Sequence, residues 1–545
     1  MDWVDSIAIY WFLVKLLLIT TAVLIAISSF DDLFIDICYW CRRTYHRLTG
    51  IEASETPTLE SLRASEERPI ALMVPVWQEA DVIAQMLHNA LTVFDYKNFH
   101  IFVGTYPNDP DTQREVDRVA ASQLNIHKVV GARPGPTCKA DCLNEVITAI
   151  LAFEEKQGIE FAGFVLQDAE DVVHPLELRL FNHMVSRYDL VQIPVLPLPR
   201  PWREFTGGHY KDEFSECHSK DVPVRAALTG IVPSAGVGTA FSRHAILALH
   251  RERDGEVFNP KSLTEDYDIS LRLRELGMRQ VFVRVRVPIE SPSERRNPGH
   301  ADEYIAVREY FPNRFRAAYR QKARWILGIA LQGWANVGWK GDLATKYILF
   351  RDRKALVTSQ VGFLAYFVVL NVVAMEVVHL LLPDSYWFPQ LVPVDSWLWW
   401  LMIVNALLLS NRVLHRIVFM THLFGWRQGL LSAPRQIWAN VVNFFACNRA
   451  LRQFAGHLLH GRQLGWDKTQ HAFPVAPGLG AQRRRPLGEL LLDLHAIASE
   501  QLHAVLAEQR QDPRPLGHLL LDRGWLNEQT LERALRMQEG FEKAA

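Results

Sequence analysis

Residues 7–28 are apolar except for Lys15, about the ~20 residues that a membrane-crossing helix needs. The acidic start (Asp2, Asp5) and the lack of a small-x-small cleavage site point to an uncleaved anchor rather than a signal peptide. Lys15 is tolerable inside such a helix if it snorkels or meets a second helix. Arg42, Arg43 and Arg47 follow at once, which puts the next domain on the cytoplasmic side. A second apolar span is expected over residues 355–382. A third starts at Trp397, after a loop (383–396) without Lys or Arg, and Arg412 and Arg416 bring the chain back to the cytoplasm. Residues 417–447 are apolar but interrupted by Gly425, Arg427, Pro434, Arg435 and Asn440, a pattern for interfacial or re-entrant helices.

Between these spans the period changes. Residues 50–68 are charged and aperiodic, a linker. Residues 69–76 read as a buried strand and 81–93 as a helix. Further strands are expected at 100–104, 163–166 and 190–195, with helices at 117–124 and 139–155. That alternation predicts an α/β domain with a largely parallel sheet, whose ligands bind beyond the carboxyl ends of strands. Asp168 follows strand 163–166 at such a place. Near the end the chain repeats itself: residues 485–509 recur at 514–538, a shift of 29. A duplicated helical unit buries its apolar stripe against its copy. The expected organisation is a membrane anchor (1–49), linker (50–68), α/β domain (69–340), transmembrane and interfacial helices (341–473), linker (474–484) and an all-α tandem-repeat domain (485–545).

Composition changes this picture little. Lys plus Arg (59) nearly equals Asp plus Glu (60), so no nucleic-acid partner is indicated. Trp387, Trp397, Trp399, Trp400, Trp426 and Trp438 gather where a bilayer interface and its lipids would hold them. Six cysteines make no disulfide framework, and Cys38 and Cys41 read as reduced thiols.

Chemistry concentrates in four motifs. Asp168, Glu170 and Asp171 repel one another unless a cation or donors neutralise them; a divalent metal on a diphosphate does so, and a solvated acidic turn is the alternative. Thr264-Glu265-Asp266 opens a helical run (267–276). Asp266 is the candidate general base, with helix capping as the alternative role for Thr264 or Asp266. Gly236 and Gly238 let backbone approach a sugar or phosphate, or simply form a turn. Gln321, Arg324 and Trp325 offer a cation for leaving-group charge and a ring face for a sugar, or else a membrane-interface pair. Asp109 and Lys139 are further candidates for nucleotide contacts.

With these residues in view, residues 68–330 resemble the processive family 2 glycosyltransferases of the cellulose- and hyaluronan-synthase type. The resemblance implies a GT-A type fold and an inverting transfer from a UDP-sugar to a saccharide or lipid-linked acceptor. It also implies Mg²⁺ or Mn²⁺ near Asp168 and Glu170, Asp266 as base, and Gln321, Arg324 and Trp325 at the donor–acceptor junction. Pro75, Val76, Glu79, Asp109, Lys139, Gly236, Gly238 and Glu265 are its substrate-binding candidates. The second acid of the usual DxD is Glu170 here.

The repeats resemble the cyclic di-GMP-binding (MshEN-type) domain of secretion and pilus ATPases. That resemblance implies cyclic di-GMP as an allosteric activator. The first copy would bind it through Arg485, Leu487, Gly488, Leu491, Leu502, Leu506 and Gln509, and the second through Arg514, Leu516, Gly517, Leu520, Leu531, Leu535 and Gln538. The whole layout, including Trp466-Asp467-Lys468-Thr469, is similar to the NfrB-like bacteriophage adsorption proteins. That resemblance implies an inner-membrane protein that acts with an outer-membrane partner (NfrA-like), and the three expected crossings leave the catalytic and C-terminal domains in the cytoplasm. The function this layout implies is cyclic di-GMP-activated synthesis of an exopolysaccharide, with an N-acetylmannosamine-containing polymer as the expected product. The alternatives are a non-processive lipid-carrier transferase and an idle cyclic di-GMP-sensing scaffold.

Overall fold

A computed structural model describes residues 3–50, 56–121, 123–288, 302–381, 389–462, 473–474 and part of the C-terminal region from residue 487. The first strands are β1 (Ile70–Pro75), β2 (Phe99–Thr105), β3 (Ile126–Val130) and β4 (Gly163–Leu166). After them come β5 (Leu190–Gln192), β6 (Val195–Pro197), β7 (Thr239–Ser242) and β8 (Gln280–Phe282). Seven strands make one sheet in the order β3-β2-β1-β4-β7-β5-β8. Two small pairs flank it: β9 (Arg286–Pro288) with β10 (Asp302–Tyr304), antiparallel, and β6 with β11 (Val307–Glu309), parallel. The run of apolar residues in β1 serves both faces. Ile70, Leu72 and Val74 enter one core and Ala71 and Met73 the other, as a strand covered on both sides requires.

The sheet is largely parallel, as expected, with one strand reversed. β1 to β4 pair in parallel, but β7 runs antiparallel to both β4 and β5, so the sheet is mixed. β7 leaves the Gly236–Gly238 turn on the cleft side and runs away from it into helix Arg243–Glu252, capped by Ser242. Local periodicity carries no strand direction.

Boundaries move for local reasons. The helix expected at 117–124 is Pro110–Ala120, because Asp109 caps it and Pro110 occupies its first turn. The strand expected at 190–195 divides into β5 and β6 at Pro194, which has no N–H for the ladder. The helix expected at 267–276 begins at Glu265, and Thr264 makes no side-chain cap there.

Three helices among the described residues are long and apolar enough to cross a membrane: Asp5–Thr49, Leu343–Leu381 and Trp397–Phe424. The first continues well beyond the apolar run, unbroken from Trp3 to Thr49. Lys15 lies 4.8 Å over the Trp11 ring, which gives its charge a partner. Gly425, at φ 85°, separates the third of these helices from Trp426–His460, which carries Pro434 inside it.

One segment joins the α/β domain to these helices. It comprises helix Phe205–Glu216, the π-helical turn Cys217–Asp221 and helix Val222–Thr229. Its Lys220 meets Asp36 at 2.7 Å, Glu216 meets Arg416 at 3.0 Å and Arg225 meets Asp352 at 2.6 Å. Asp212 meets Arg435 at 2.6 Å, with both side chains 1% exposed.

The described part of the C-terminal module has a core of its own. A Cβ on Gly488 would lie 2.6 Å from Leu502 and one on Gly517 2.7 Å from Leu531, and each glycine also faces the other repeat's leading leucine (Leu516, Leu487). The two copies therefore pack with matching contacts. Leu491, Leu502, Leu520 and Leu531 are buried in that core, Leu535 is 37% exposed, and Arg514 pairs with Asp522. Arg485, Leu506, Gln509, Gln538 and Trp466 to Thr469 lie outside the described residues.

Candidate active site

β1 and β4 are neighbours and parallel, so their carboxyl ends open side by side. The chain leaves β1 through Pro75, Trp77 and Glu79, and leaves β4 through Gln167 into Asp168 and Glu170. All but Gln167 line one cavity of about 120 Å³ with Lys139, Glu265, Asp266, Gln321, Arg324 and Trp325. Acids nearly a hundred positions apart thus face one space.

Lys139, at the first turn of helix Lys139–Gln157, ties the floor together. Its Nζ lies 2.6 Å from Asp168 Oδ1 and donates to the Gly236 carbonyl at 3.2 Å. Burial alone would lower the ammonium's pKa, but Asp168 and Glu265 outweigh that and raise it, so the group stays a cation. Burial pushes the Asp266 carboxyl above the ordinary carboxylate range, while Lys139 and Arg324 hold it back. Glu265, pushed first by burial and then by Asp266, rises to about 7. Asp266 Oδ1 accepts from the Tyr267 N–H at 2.8 Å. Gly236 has φ 76°, and a Cβ there would come within 2.8 Å of Asp266 Oδ2.

The acidic triplet divides its work. Asp168 and Glu170 line the cavity, whereas Asp171 is fully buried and accepts the Asp168 N–H at 2.7 Å, holding the turn. Burial, then Asp168 and Glu309, push the Asp171 carboxyl well above its ordinary range. Two carboxylates in one wall suit a Mg²⁺-type cation, which commonly takes one or two protein carboxylates and completes its shell with substrate phosphates and water. Among the described residues there is no group of three His, Cys, Asp or Glu that could form a self-sufficient cage.

Helix Phe315–Ile326 supplies the opposite wall. Gln321 is 8% exposed, and its Oε1 has no hydrogen-bond partner. Thr264 Oγ1, in the same lining, is likewise unpartnered. Buried acceptors left open in a cleft call for a polar ligand. Trp325 packs edge-on to Tyr210 with ring centres 6.1 Å apart.

Three substrate-binding candidates fall elsewhere. The Val76 side chain is buried in the β1 core. Gly238 (φ 58°) packs against Ile193 and Val307 as part of the turn into β7. Asp109 is occupied in capping, accepting from the Thr112 and Gln78 N–H groups. Trp77, Cys138, Ser262 and Glu309 also line the cavity and are absent from the sequence reading. Trp77 lies within two residues of Glu79 and could have been read with it. Glu309 arrives only through the pairing of β11 with β6, which no local pattern announces.

Residues 163–381 match the family described as Glycosyl transferase family group 2. Over 99% of its length the chain is 47% identical to Bacteriophage adsorption protein B of Escherichia coli (strain K12), covering 73% of that protein. It stands at the same identity and coverage to Bacteriophage N4 adsorption protein B of Escherichia coli O157:H7. Among solved structures, the mannosyltransferase PcManGT from Pyrobaculum calidifontis, in complex with GDP-Man and Mn²⁺, aligns with 78% of this chain and 99% of its own. It does so at 14% identity and a TM-score of 0.42.

Proposed function

This chain belongs to the family of bacteriophage adsorption protein B and is a family 2 glycosyl transferase, and from that premise we propose that it builds an exopolysaccharide from a UDP-sugar at a bacterial inner membrane. The observation that carries the reading is the meeting of Asp168, Lys139, Gly236 and Asp266 in one cleft with Arg324. Asp266 takes the proton from the acceptor hydroxyl as that oxygen attacks the anomeric carbon from the face opposite the leaving diphosphate, inverting the centre. Lys139 and Arg324 meet the charge that collects on the diphosphate. Gln321 orients the donor, and the Trp325 ring offers a face to the acceptor sugar. Asp168 and Glu170 would hold a Mg²⁺ or Mn²⁺ that arrives with the donor. Bound there, the metal lowers the charge of the leaving group.

The proposal extends to regulation and partners. Cyclic di-GMP bound by residues 485–538 shifts the enzyme toward its competent state by differential affinity, a reading supported by the matched packing of the two repeats. An outer-membrane protein receives the product. The three apolar helices favour cytoplasmic catalytic and C-terminal domains, given Arg42, Arg43 and Arg47 after the first. The three such helices among the described residues also suit a second reading, transfer of single sugars to a lipid carrier, and product size separates the two.

The test is a screen of UDP-sugars with the full chain in lipid, read by UDP release. Release is expected only with a divalent metal and faster with cyclic di-GMP. Metal-independent turnover would remove the assigned role of Asp168 and Glu170, and full turnover by Asp266→Asn would remove the assigned base.

A further inference from the structure

A second cavity, of about 240 Å³, lies where the apolar helices turn polar. The first helix contributes Asp32, the segment Phe205–Thr229 contributes Glu213 and Asp221, and the second and third apolar helices contribute Arg351 and Arg412. Asp32 follows the apolar run of its helix, Arg351 precedes the run of the second and Arg412 follows that of the third, so the cavity sits at lipid headgroup depth. Its lining holds five carboxylates, four cations and, among the described residues, no aromatic ring.

Most of these charges are tightly paired within the protein. Two at the rim are not: Arg412 reaches Asp32 only at 3.6 Å with its side chain 45% exposed, and Asp221 reaches Lys220 only at 3.9 Å with its side chain 38% exposed. A guanidinium and a carboxylate thus remain open toward the same space.

We propose that this cavity binds the headgroup of a phosphatidylethanolamine-type lipid, its phosphate on Arg412 and its ammonium on Asp221. A simple anion would meet a lining with one carboxylate in excess. A quaternary ammonium is held by ring faces, which this lining lacks. A primary ammonium brings three N–H donors to carboxylate acceptors, and the guanidinium fork suits a phosphate. The site also touches the catalytic cleft. Glu213, in its wall, holds Lys322 Nζ at 2.5 Å, and Lys322 lies between Gln321 and Arg324 on one short helix. Headgroup occupancy therefore bears on the position of that helix.

The experiment uses the full chain, with tightly retained lipid identified by mass spectrometry after detergent exchange. UDP release is read in nanodiscs of phosphatidylcholine and phosphatidylglycerol, with or without phosphatidylethanolamine. Ethanolamine lipid is expected to be enriched over the bulk membrane. Arg412→Gln and Asp221→Asn should each reduce that enrichment about tenfold, the size of one lost charged hydrogen bond. They should also abolish any rate gain from ethanolamine lipid while leaving the rate without it unchanged. Arg412→Lys, which keeps the charge, should retain most of the lipid, and this covers the case in which the other variants fail to fold. Absence of enrichment, or enrichment untouched by the variants, overturns the proposal. Retention of phosphatidylglycerol instead, or release by inorganic phosphate, overturns the ethanolamine assignment in favour of an anion site. Retention needs no turnover, so its failure is distinct from a failure of the transferase reading.

Discussion

Asp266 is a half-buried acid beside a buried one, Glu265, with one lysine keeping both usable. Removing its proton-accepting oxygen in Asp266→Asn should lower transfer by about a hundredfold to ten-thousandfold, the range for a lost general base, with donor binding intact. Titration of UDP binding against single-turnover rates checks this. Because burial lifts the Asp266 carboxyl, activity should fall on acidification at a pH above the ordinary aspartate value of about 3.9. Glu265 and Asp266 titrate as a pair, so the limb belongs to both. Lys139 holds both acids down, so Lys139→Met should move that limb to higher pH in the residual rate; a limb that stays or moves down would remove Lys139 as their counter-charge. Glu177 is fully buried and its carboxyl is pushed up to about 8 by burial. Between its unfolded value, near 4.3, and about 8 the folded state keeps a proton that the unfolded chain has released. Stability is therefore full on the acid side and is lost as pH rises through that window. Glu177→Gln should flatten the loss, measured by thermal unfolding at about pH 5 and about pH 9.

At the scale of elements, two glycines set where the Thr264–Asp266 segment rests. Gly236 carries a left-handed backbone against Asp266, so Gly236→Ala adds about 1–2 kcal/mol of backbone strain and pushes a methyl group at the base. Gly328 is the second residue of the π-helical turn Leu327–Gln332, and a Cβ there would fall 2.5 Å from the Thr264 side chain. The same turn supplies Gln332, whose Oε1 accepts the Leu263 N–H at 3.0 Å. Gly328→Ala should lower kcat more than it raises the donor KM, since it displaces the base rather than the diphosphate contacts. An unchanged kcat would show that the segment yields without consequence. Neither glycine's neighbour could be read locally, because Gly236 and Asp266 are brought together by β7 and helix Glu265–Glu275.

For the whole molecule, the segment Phe205–Thr229 decides how the α/β domain meets the apolar helices, through ion pairs to all three of them and to helix Trp426–His460. Arg435 is the most enclosed of these cations. Arg435→Ala would leave Asp212 buried without its partner, a loss of roughly 3–5 kcal/mol, and should loosen helix Trp426–His460. A fall in thermal stability together with faster proteolysis of that helix checks it. The amino-acid order alone determined what depends on neighbours in the chain: the apolar spans, the buried β1, the helix after Lys139 and the duplicated unit, because hydrophobic period and length are local properties. The tertiary structure decided what depends on distant pairing: the reversed β7, the arrival of Glu309, the burial of Asp171, and the cleft in which Asp168 and Asp266 meet. Those outcomes rest on which strands lie side by side and which charges lose water together, and no stretch of sequence contains both partners.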